Sequence, residues 1–256
     1  MGRLTNKVAV ITGGAGAIGL TTAKLYADQG AKVLLVDLNE AALKSAVDTL
    51  GANHASYFVA DVTNPDQTKG YIDAAMERYG KIDILFSNAG IEGKVGPIVD
   101  TAVEEFDKVM AVNVRGVWLS LKYGIPAMLK SGAPGSIIIT SSIAGLHGFA
   151  GLAPYVTSKH AVIGLMRSAV KELAGTGVRV NTIHPAPIEG RMMRSIEEGA
   201  APGAGTQAKS AFAALIPAGR YGNPDEVGNV ALFLASDDSS YCTGGCFSVD
   251  GGMSAG

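Results

Sequence analysis

Val8–Asp37 reads VAVITGGAGAIGLTTAKLYADQGAKVLLVD, and the order of elements in it decides the fold. Val8–Thr12 is a short, continuously apolar run that leads straight into Thr12–Gly19, TGGAGAIG. From Ala17 to Gln29 the apolar residues Ile18, Ala23, Leu25 and Tyr26 recur at roughly helical spacing, and Lys32–Asp37 (KVLLVD) is a second apolar run. The order is strand, glycine-rich turn, helix, strand. Glycines in such a turn let the backbone approach a pyrophosphate, and the helix start offers free N–H groups and the positive end of its dipole. Asp37 ends the second strand eighteen residues after Gly19, a spacing that suits the carboxylate that binds a ribose. Gly13, Ala15, Gly16, Ala17, Ile18 and Gly19 are therefore expected to cradle a dinucleotide, with Asp37 and Leu38 at its ribose. The Asp37 carboxylate accepts from ribose hydroxyls but repels a 2′-phosphate, and neither the glycine turn nor the residue after Asp37 offers a Lys or Arg. NAD(H) is the expected cofactor.

Outward from this unit the alternation continues. Glu40–Leu50, Asp66–Tyr79, Thr101–Lys130 (one or two helices), Tyr155–Ala174 and Pro224–Ala235 read as helices. Ala55–Ala60, Ile82–Ser87, Ser136–Ser141, Val178–His184 and Cys246–Val249 read as strands, apolar throughout rather than alternating. Strands of that kind are buried on both faces, and helices between them act as crossovers. The expected fold class is α/β: a single-domain, doubly wound parallel sheet, Rossmann-like, with helices on both faces. One domain spans 1–256. Its irregular stretch, Pro185–Gly205, is rich in proline and glycine and marks a substrate lid loop at about 186–215.

The chain has 256 residues, 47% hydrophobic and 17% charged, which is too apolar for disorder. Its net charge of −2 and lack of a basic patch speak against a nucleic-acid partner. Cys242 and Cys246 cannot form a disulfide framework or a four-ligand zinc site, and no metal is expected. No signal peptide and no membrane-spanning apolar run is visible, so a cytoplasmic protein is the expectation.

Tyr155 and Lys159, in YVTSK, are four apart and share a helix face. A nearby ammonium favours phenolate and should lower the tyrosine pKa from about 10 toward neutrality. That would make Tyr155 a general acid/base for a carbonyl or an alcohol.

With TGGAGAIG, Asp61-Val62, Ser87-Asn88-Ala89-Gly90, Asn113 in MAVNVRG, Ser141-Ser142, YVTSK and HPAPI in this order, the chain resembles the short-chain dehydrogenase/reductase family over essentially its full length. The tail, GRYGNPDEV to VDGG, matches as well. The resemblance implies Tyr155 as acid/base, and Lys159 as the group that lowers its pKa and binds the nicotinamide ribose. Ser142, thirteen residues before Tyr155, would bond the substrate oxygen, with Ser141 as the neighbouring candidate. Asn113 would hold a water in a proton relay. Asp61 and Val62 would contact adenine, Asn88, Ala89 and Gly90 the adenosine ribose side, and Pro185 and Ile188 the nicotinamide end. The chain departs from the pattern at Ala17, in place of the usual third glycine, and at Ser87. Ala186 and Gly190 stand where the family has glycine and, four residues later, threonine, so one hydroxyl contact to the carboxamide is missing.

The substrate walls should come from Ile91–Pro97, Ile143–Leu152 and the segment from Ala186. They offer Ile91, Val95, Ile143, Leu146, Phe149, Leu152, Met192 and Met193, an apolar lining suited to a ring or chain. His147 is a candidate polar contact read as solvent-facing or structural, His184 is read as structural and Trp118 as core or interface; Glu92, Arg191 and Arg194 flank the mouth, where an arginine could hold a carboxylate or phosphate but the solvated reading is preferred. The expected activity is hydride transfer between NAD(H) and a hydrophobic, cyclic or aryl, secondary alcohol or ketone. The alternatives are a 3-oxoacyl carrier-protein reductase, a sugar dehydrogenase and a non-catalytic NAD-binding regulator. The resemblance implies a homo-oligomer, a tetramer before a dimer, through the long helices, here Ala111–Lys130 and Tyr155–Ala174, and the C-terminal strand.

Overall fold

The computed structural model describes residues 2–255. Seven strands form one sheet: β1 (Val8–Thr12), β2 (Lys32–Asp37), β3 (Ala55–Val59), β4 (Ile84–Ser87), β5 (Gly135–Thr140), β6 (Val178–Pro185) and β7 (Cys246–Val249). Their order is β3-β2-β1-β4-β5-β6-β7 and every pairing is parallel. The doubly wound sheet is therefore as expected. The chain winds outward from β1 in one direction and from β4 in the other, so the loops after these two adjacent strands diverge and leave a crevice.

The two faces are covered separately. Helices α1 (Ala17–Asp28) and α2 (Glu40–Leu50) share a core with α9 (Pro224–Ala235), built on Ala9, Ile11, Leu35 and Phe86. On the other face lie α3 (Pro65–Tyr79), the rod of α4 (Val103–Met110) and α5 (Gly116–Leu129), and α6 (Ala153–Glu172), packed on Val10, Leu34, Leu85 and Ile137. Val10 and Ile11 point to opposite faces and are both fully buried, which is why these strands need apolar residues at every position. Each such burial contributes about 1.5–3 kcal/mol. Tyr26 enters the first core because its hydroxyl has a partner, donating to the Ala231 carbonyl at 3.0 Å.

Three features differ from expectation. Strand β4 starts at Ile84 rather than Ile82. The intervening Asp83 is buried and takes the amide of Val8 (2.8 Å) and the Lys81 ammonium (3.0 Å) on its carboxylate. The α4–α5 rod is continuous but carries a π-helical turn at Ala111–Arg115. Segment 186–215 is not a loop: it folds into α7 (Arg191–Ala200) and α8 (Gly205–Ala214). Met192, Met193 and Ile196 fall on one face of α7, and Ala208 and Phe212 on one face of α8, so helical periodicity was present between the prolines and glycines.

Candidate active site

The crevice at the β1/β4 switch opens into a cleft of about 780 Å³. One end of the cleft is the turn after β1. Gly13 has φ +65°, a conformation that favours glycine, and Gly16 precedes α1 without any side-chain cap. Gly16, Ala17 and Ile18 line the cleft, so the uncapped first turn of α1 is directed at it. Gly19 does not line it. A Cβ there would meet the Gly13 carbonyl oxygen at 2.2 Å, so Gly19 is what lets the helix press against the turn. These features fit a pyrophosphate.

Asp37 lines the cleft at the end of β2. Its Oδ2 accepts from Ala15 N (3.2 Å) and its Oδ1 from Leu38 N (2.8 Å) and Asn39 N (3.3 Å). Leu38, Asn39 and Ala42 complete this wall, with no Lys or Arg among them. Asp61, Val62, Ala89 and Gly90 also line the cleft. Asp61 Oδ1 accepts from the amide and hydroxyl of Thr63, both at 2.8 Å. Asn88 is part of the frame: its Nδ2 donates to the Thr12 and Gly13 carbonyls and its Oδ1 accepts from Thr140 Oγ1 (3.0 Å). Thr12 Oγ1 in turn accepts from Asn88 N and Ala89 N, which binds the two switch loops together.

The other end brings Ser142, Tyr155 and Lys159 to one wall. Ser142 Oγ accepts from Ala144 N (3.1 Å) and points toward the Pro185 carbonyl (3.4 Å). Ser141 Oγ donates to the Lys159 carbonyl (2.8 Å) and is tied into the frame. His184, fully buried, hydrogen-bonds the Ser142 carbonyl through Nδ1 (2.9 Å) and Thr182 Oγ1 through Nε2 (2.8 Å), in keeping with a structural histidine. Lys159 Nζ donates to the Thr140 carbonyl (2.8 Å) and lies 5.5 Å from the Tyr155 ring centre.

The proton affinities differ from the sequence expectation. Burial pushes the Tyr155 phenol up to about 12; the Ser142 hydroxyl pulls it down, and the Glu92 carboxylate adds to the rise. Burial lowers the Lys159 ammonium to about 8. The Lys159 ammonium is turned onto the Thr140 carbonyl and is not among the groups that set the tyrosine's shift. Asn113 is buried beneath the cleft in the π turn. Its Oδ1 accepts from Ile91 N (2.8 Å), and its Nδ2 donates to Ile91 O and Ser158 Oγ (both 2.9 Å). Asn113 Oδ1 and Lys159 Nζ meet across Gly90, where a Cβ would lie 3.2 and 3.4 Å from them.

Ile143, Leu152, Pro185, Ala186, Ile188, Met192 and Met193 all line the cleft, with Ile91 and Phe149. Val95 and Leu146 do not. Val95 packs under Gly199 of α7, and Leu146 faces solvent, as does His147. Pro187, Ile196, Phe212, Leu215 and Met253 were missed; four of them arrive through the folding of 186–215 and Met253 from the chain's end. Arg191 is not a freely solvated group: its guanidinium pairs with Glu92, a buried carboxylate at the mouth. Trp118 is 45% exposed, which removes the core reading.

A switch-point cleft with a glycine turn, an acid at the end of β2 and a Ser, Tyr and Lys cluster is the arrangement of a dinucleotide-dependent oxidoreductase. The family model described as enoyl-(acyl carrier protein) reductase matches residues 13–254. Cyclohexanol dehydrogenase of Acinetobacter sp. (strain SE19) is 37% identical over 97% of this chain and 95% of its own. The crystal structure of levodione reductase, an enzyme known from Leifsonia aquatica, superposes with a TM-score of 0.95 at 37% identity, covering 98% of this chain and 99% of that one. The aldohexose dehydrogenase of Thermoplasma acidophilum superposes with a TM-score of 0.88 at 34% identity, covering 99% and 96%. The chain belongs to the short-chain dehydrogenase/reductase family.

Proposed function

We propose that this oxidoreductase interconverts hydrophobic, cyclic or aryl, secondary alcohols and their ketones with NAD(H). The observation that carries the substrate class is the apolar chamber beside two hydroxyls: Ser142 and Tyr155 face Ile143, Leu152, Ala186, Met192 and Met193. A polyol would leave its hydroxyls unpaired against such walls, at a cost of about 1–3 kcal/mol for each one buried. Cyclohexanol dehydrogenase and levodione reductase among the relatives support the same class, while aldohexose dehydrogenase favours sugars as the second reading.

Asp37 supports NAD over NADP. Gly13, Gly16, Ala17 and Ile18 would hold the pyrophosphate, Asp61, Val62 and Asn88–Gly90 the adenosine, and Lys159, Pro185 and Ile188 the nicotinamide half. That ring supplies the hydride chemistry when bound. Ser142 Oγ orients the substrate oxygen. Tyr155 Oη gives its proton to a ketone oxygen in reduction and receives one from an alcohol in oxidation. Lys159 and the Asn113 region carry the proton onward to water. Helices α7 and α8 act as the lid over the substrate. Exposed Val103, Phe106, Trp118 and Leu129 on the α4–α5 rod support a homo-oligomer, with a tetramer expected. No helix among the described residues is long and apolar enough to cross a membrane.

The test is steady-state kinetics on a panel of cyclic, aryl and linear secondary alcohols and of aldohexoses, each with NAD⁺ and NADP⁺. The highest kcat/KM is expected for a cyclic or aryl alcohol with NAD⁺. Preference for an aldohexose, or for NADP⁺, would overturn the corresponding half of the proposal.

A further inference from the structure

Glu92 is buried, its side chain 7% exposed, and among the described residues its ion pair within 4 Å is with Arg191. Its two carboxylate oxygens accept from Arg191 Nη1 (3.0 Å) and Nη2 (3.4 Å), and the Arg191 side chain is 73% exposed. The two ends of this pair belong to different bodies. Ile91, just before Glu92, is held through both its backbone polar atoms by Asn113, which is itself bonded to Ser158 of α6. Lys94 N, just after, donates to Glu105 Oε1 (2.9 Å). The backbone on either side of Glu92 is thus tied to the rod and, through Ser158, to α6. Arg191 is the first residue of α7, and Met192 behind it sets its sulfur 4.0 Å from Tyr155 Oη.

The asymmetry of burial gives the pair a direction. When it opens, the guanidinium swings into water and is solvated, whereas the carboxylate stays behind in the protein without a counter-charge. Removing one partner of such a pair is far more damaging than removing both. The Lys209–Glu189 pair (2.5 Å) at the other side of the segment lacks this property: both side chains are half-exposed, and water takes over when they part.

We propose that Glu92 and Arg191 form the latch that holds α7 closed over the substrate end of the cleft, so that both are positioning residues for Met192, Met193 and Tyr155. For turnover the inference rests on the dehydrogenase reading above; for lid closure it does not.

The test uses the full chain as wild type, Arg191→Met, Glu92→Gln and the double variant. Amide hydrogen exchange over 191–200 is measured with and without NADH, alongside alcohol kinetics. Arg191→Met should speed exchange in α7 about tenfold or more, because it strands the carboxylate. It should raise the alcohol KM by about tenfold while kcat changes less than about threefold, a split expected when positioning and not chemistry is lost. Adding Glu92→Gln to Arg191→Met should recover much of both effects. Wild-type exchange in Arg191→Met, or single-variant effects that simply multiply in the double, would overturn the latch. Should Arg191→Met not fold, Glu92→Gln alone must still loosen α7 measurably, and an unchanged profile there would overturn it equally. Should the wild type oxidise none of the alcohols, the functional proposal falls and the exchange arm still decides the latch.

Discussion

Replacing Gly190 by threonine tests how the cofactor's nicotinamide end is held. Gly190 sits between the Ile188–Gly222 bridge and the first turn of α7, with φ 163° and ψ 179°. That is extended backbone, which a β-branched residue adopts readily. A Cβ there has room: its nearest neighbour is the Ala17 Cβ at 3.7 Å, in ordinary contact, followed by the Ile188 carbonyl oxygen at 4.0 Å. Ala17 belongs to the glycine-rich turn proposed to hold the pyrophosphate, so the new side chain would stand against the proposed cofactor site. The hydroxyl can accept from a free N–H of the α7 first turn and donate to a carboxamide at the same time. As a cap it adds only a few tenths of a kcal/mol over glycine. As a partner to the cofactor it adds about 0.5–1.5 kcal/mol, or roughly 2- to 12-fold in affinity. NADH titration by fluorescence, with hydrogen exchange over 189–205, reads both. We expect tighter NADH binding by that factor and slower exchange at the start of α7, with little change in which alcohols are accepted, since Met192 and Met193 remain. Unchanged or weaker binding with equal exchange would refute the placement of Gly190 beside the carboxamide.

Asp37→Ser with Leu38→Arg should move the kcat/KM preference toward NADP(H) by about 10- to 100-fold, because Leu38 is 68% exposed and an arginine fits there to pair with a phosphate. NAD(H) use should fall as well, since the stitch from Ala15 to Asp37 is lost. Gly19→Ala drives a methyl group to 2.2 Å from the Gly13 carbonyl oxygen, with backbone of Gly14 behind it, so the turn must shift. We expect a loss of about 1–3 kcal/mol in urea denaturation and at least about tenfold in NADH affinity. Lys159 is held near 8, below its unfolded value of 10.5, so between these pH values the unfolded chain binds more protons and wild-type stability gains as pH rises. Lys159→Met lacks that contribution; the urea midpoint of the wild type should climb relative to the variant from pH 8 to 10.5, and a constant difference would contradict the buried charge.

The sheet was legible because each strand is apolar along its whole length and each crossover carries a 3.6-residue period. The glycine turn was legible because Gly13 (φ +65°) and Gly19, packed on the Gly13 carbonyl, answer backbone constraints that few other residues satisfy, although Gly19 packs the turn rather than lining the cleft. The α7 helix was not, since Pro185, Pro187, Pro202 and the glycines at 190, 199, 203 and 205 hide ten helical residues between turn signals. The pairing of Glu92 with Arg191 was not legible: both read as flanking the mouth, but nothing in the sequence joins an acid after β4 to one arginine ninety-nine residues away. The π turn at Ala111–Arg115 likewise leaves no mark in hydrophobic periodicity, although it is what brings Asn113 to Ile91. The Tyr155 pKa was misread for a different reason. Helical spacing places Lys159 on the right face, but it does not reveal that Thr140 receives the ammonium or that burial dominates both groups.

The proposal that Tyr155 is the proton donor and acceptor for an alcohol/ketone pair is tested most directly by Tyr155→Phe. The ring stays, and the cleft keeps its shape. The measurement is kcat for the best alcohol of the panel and NADH affinity on the same purified sample. Our account predicts that kcat falls by about 10²–10⁴-fold with NADH affinity within a few-fold of wild type. Near-normal turnover in a variant that still binds NADH would contradict it.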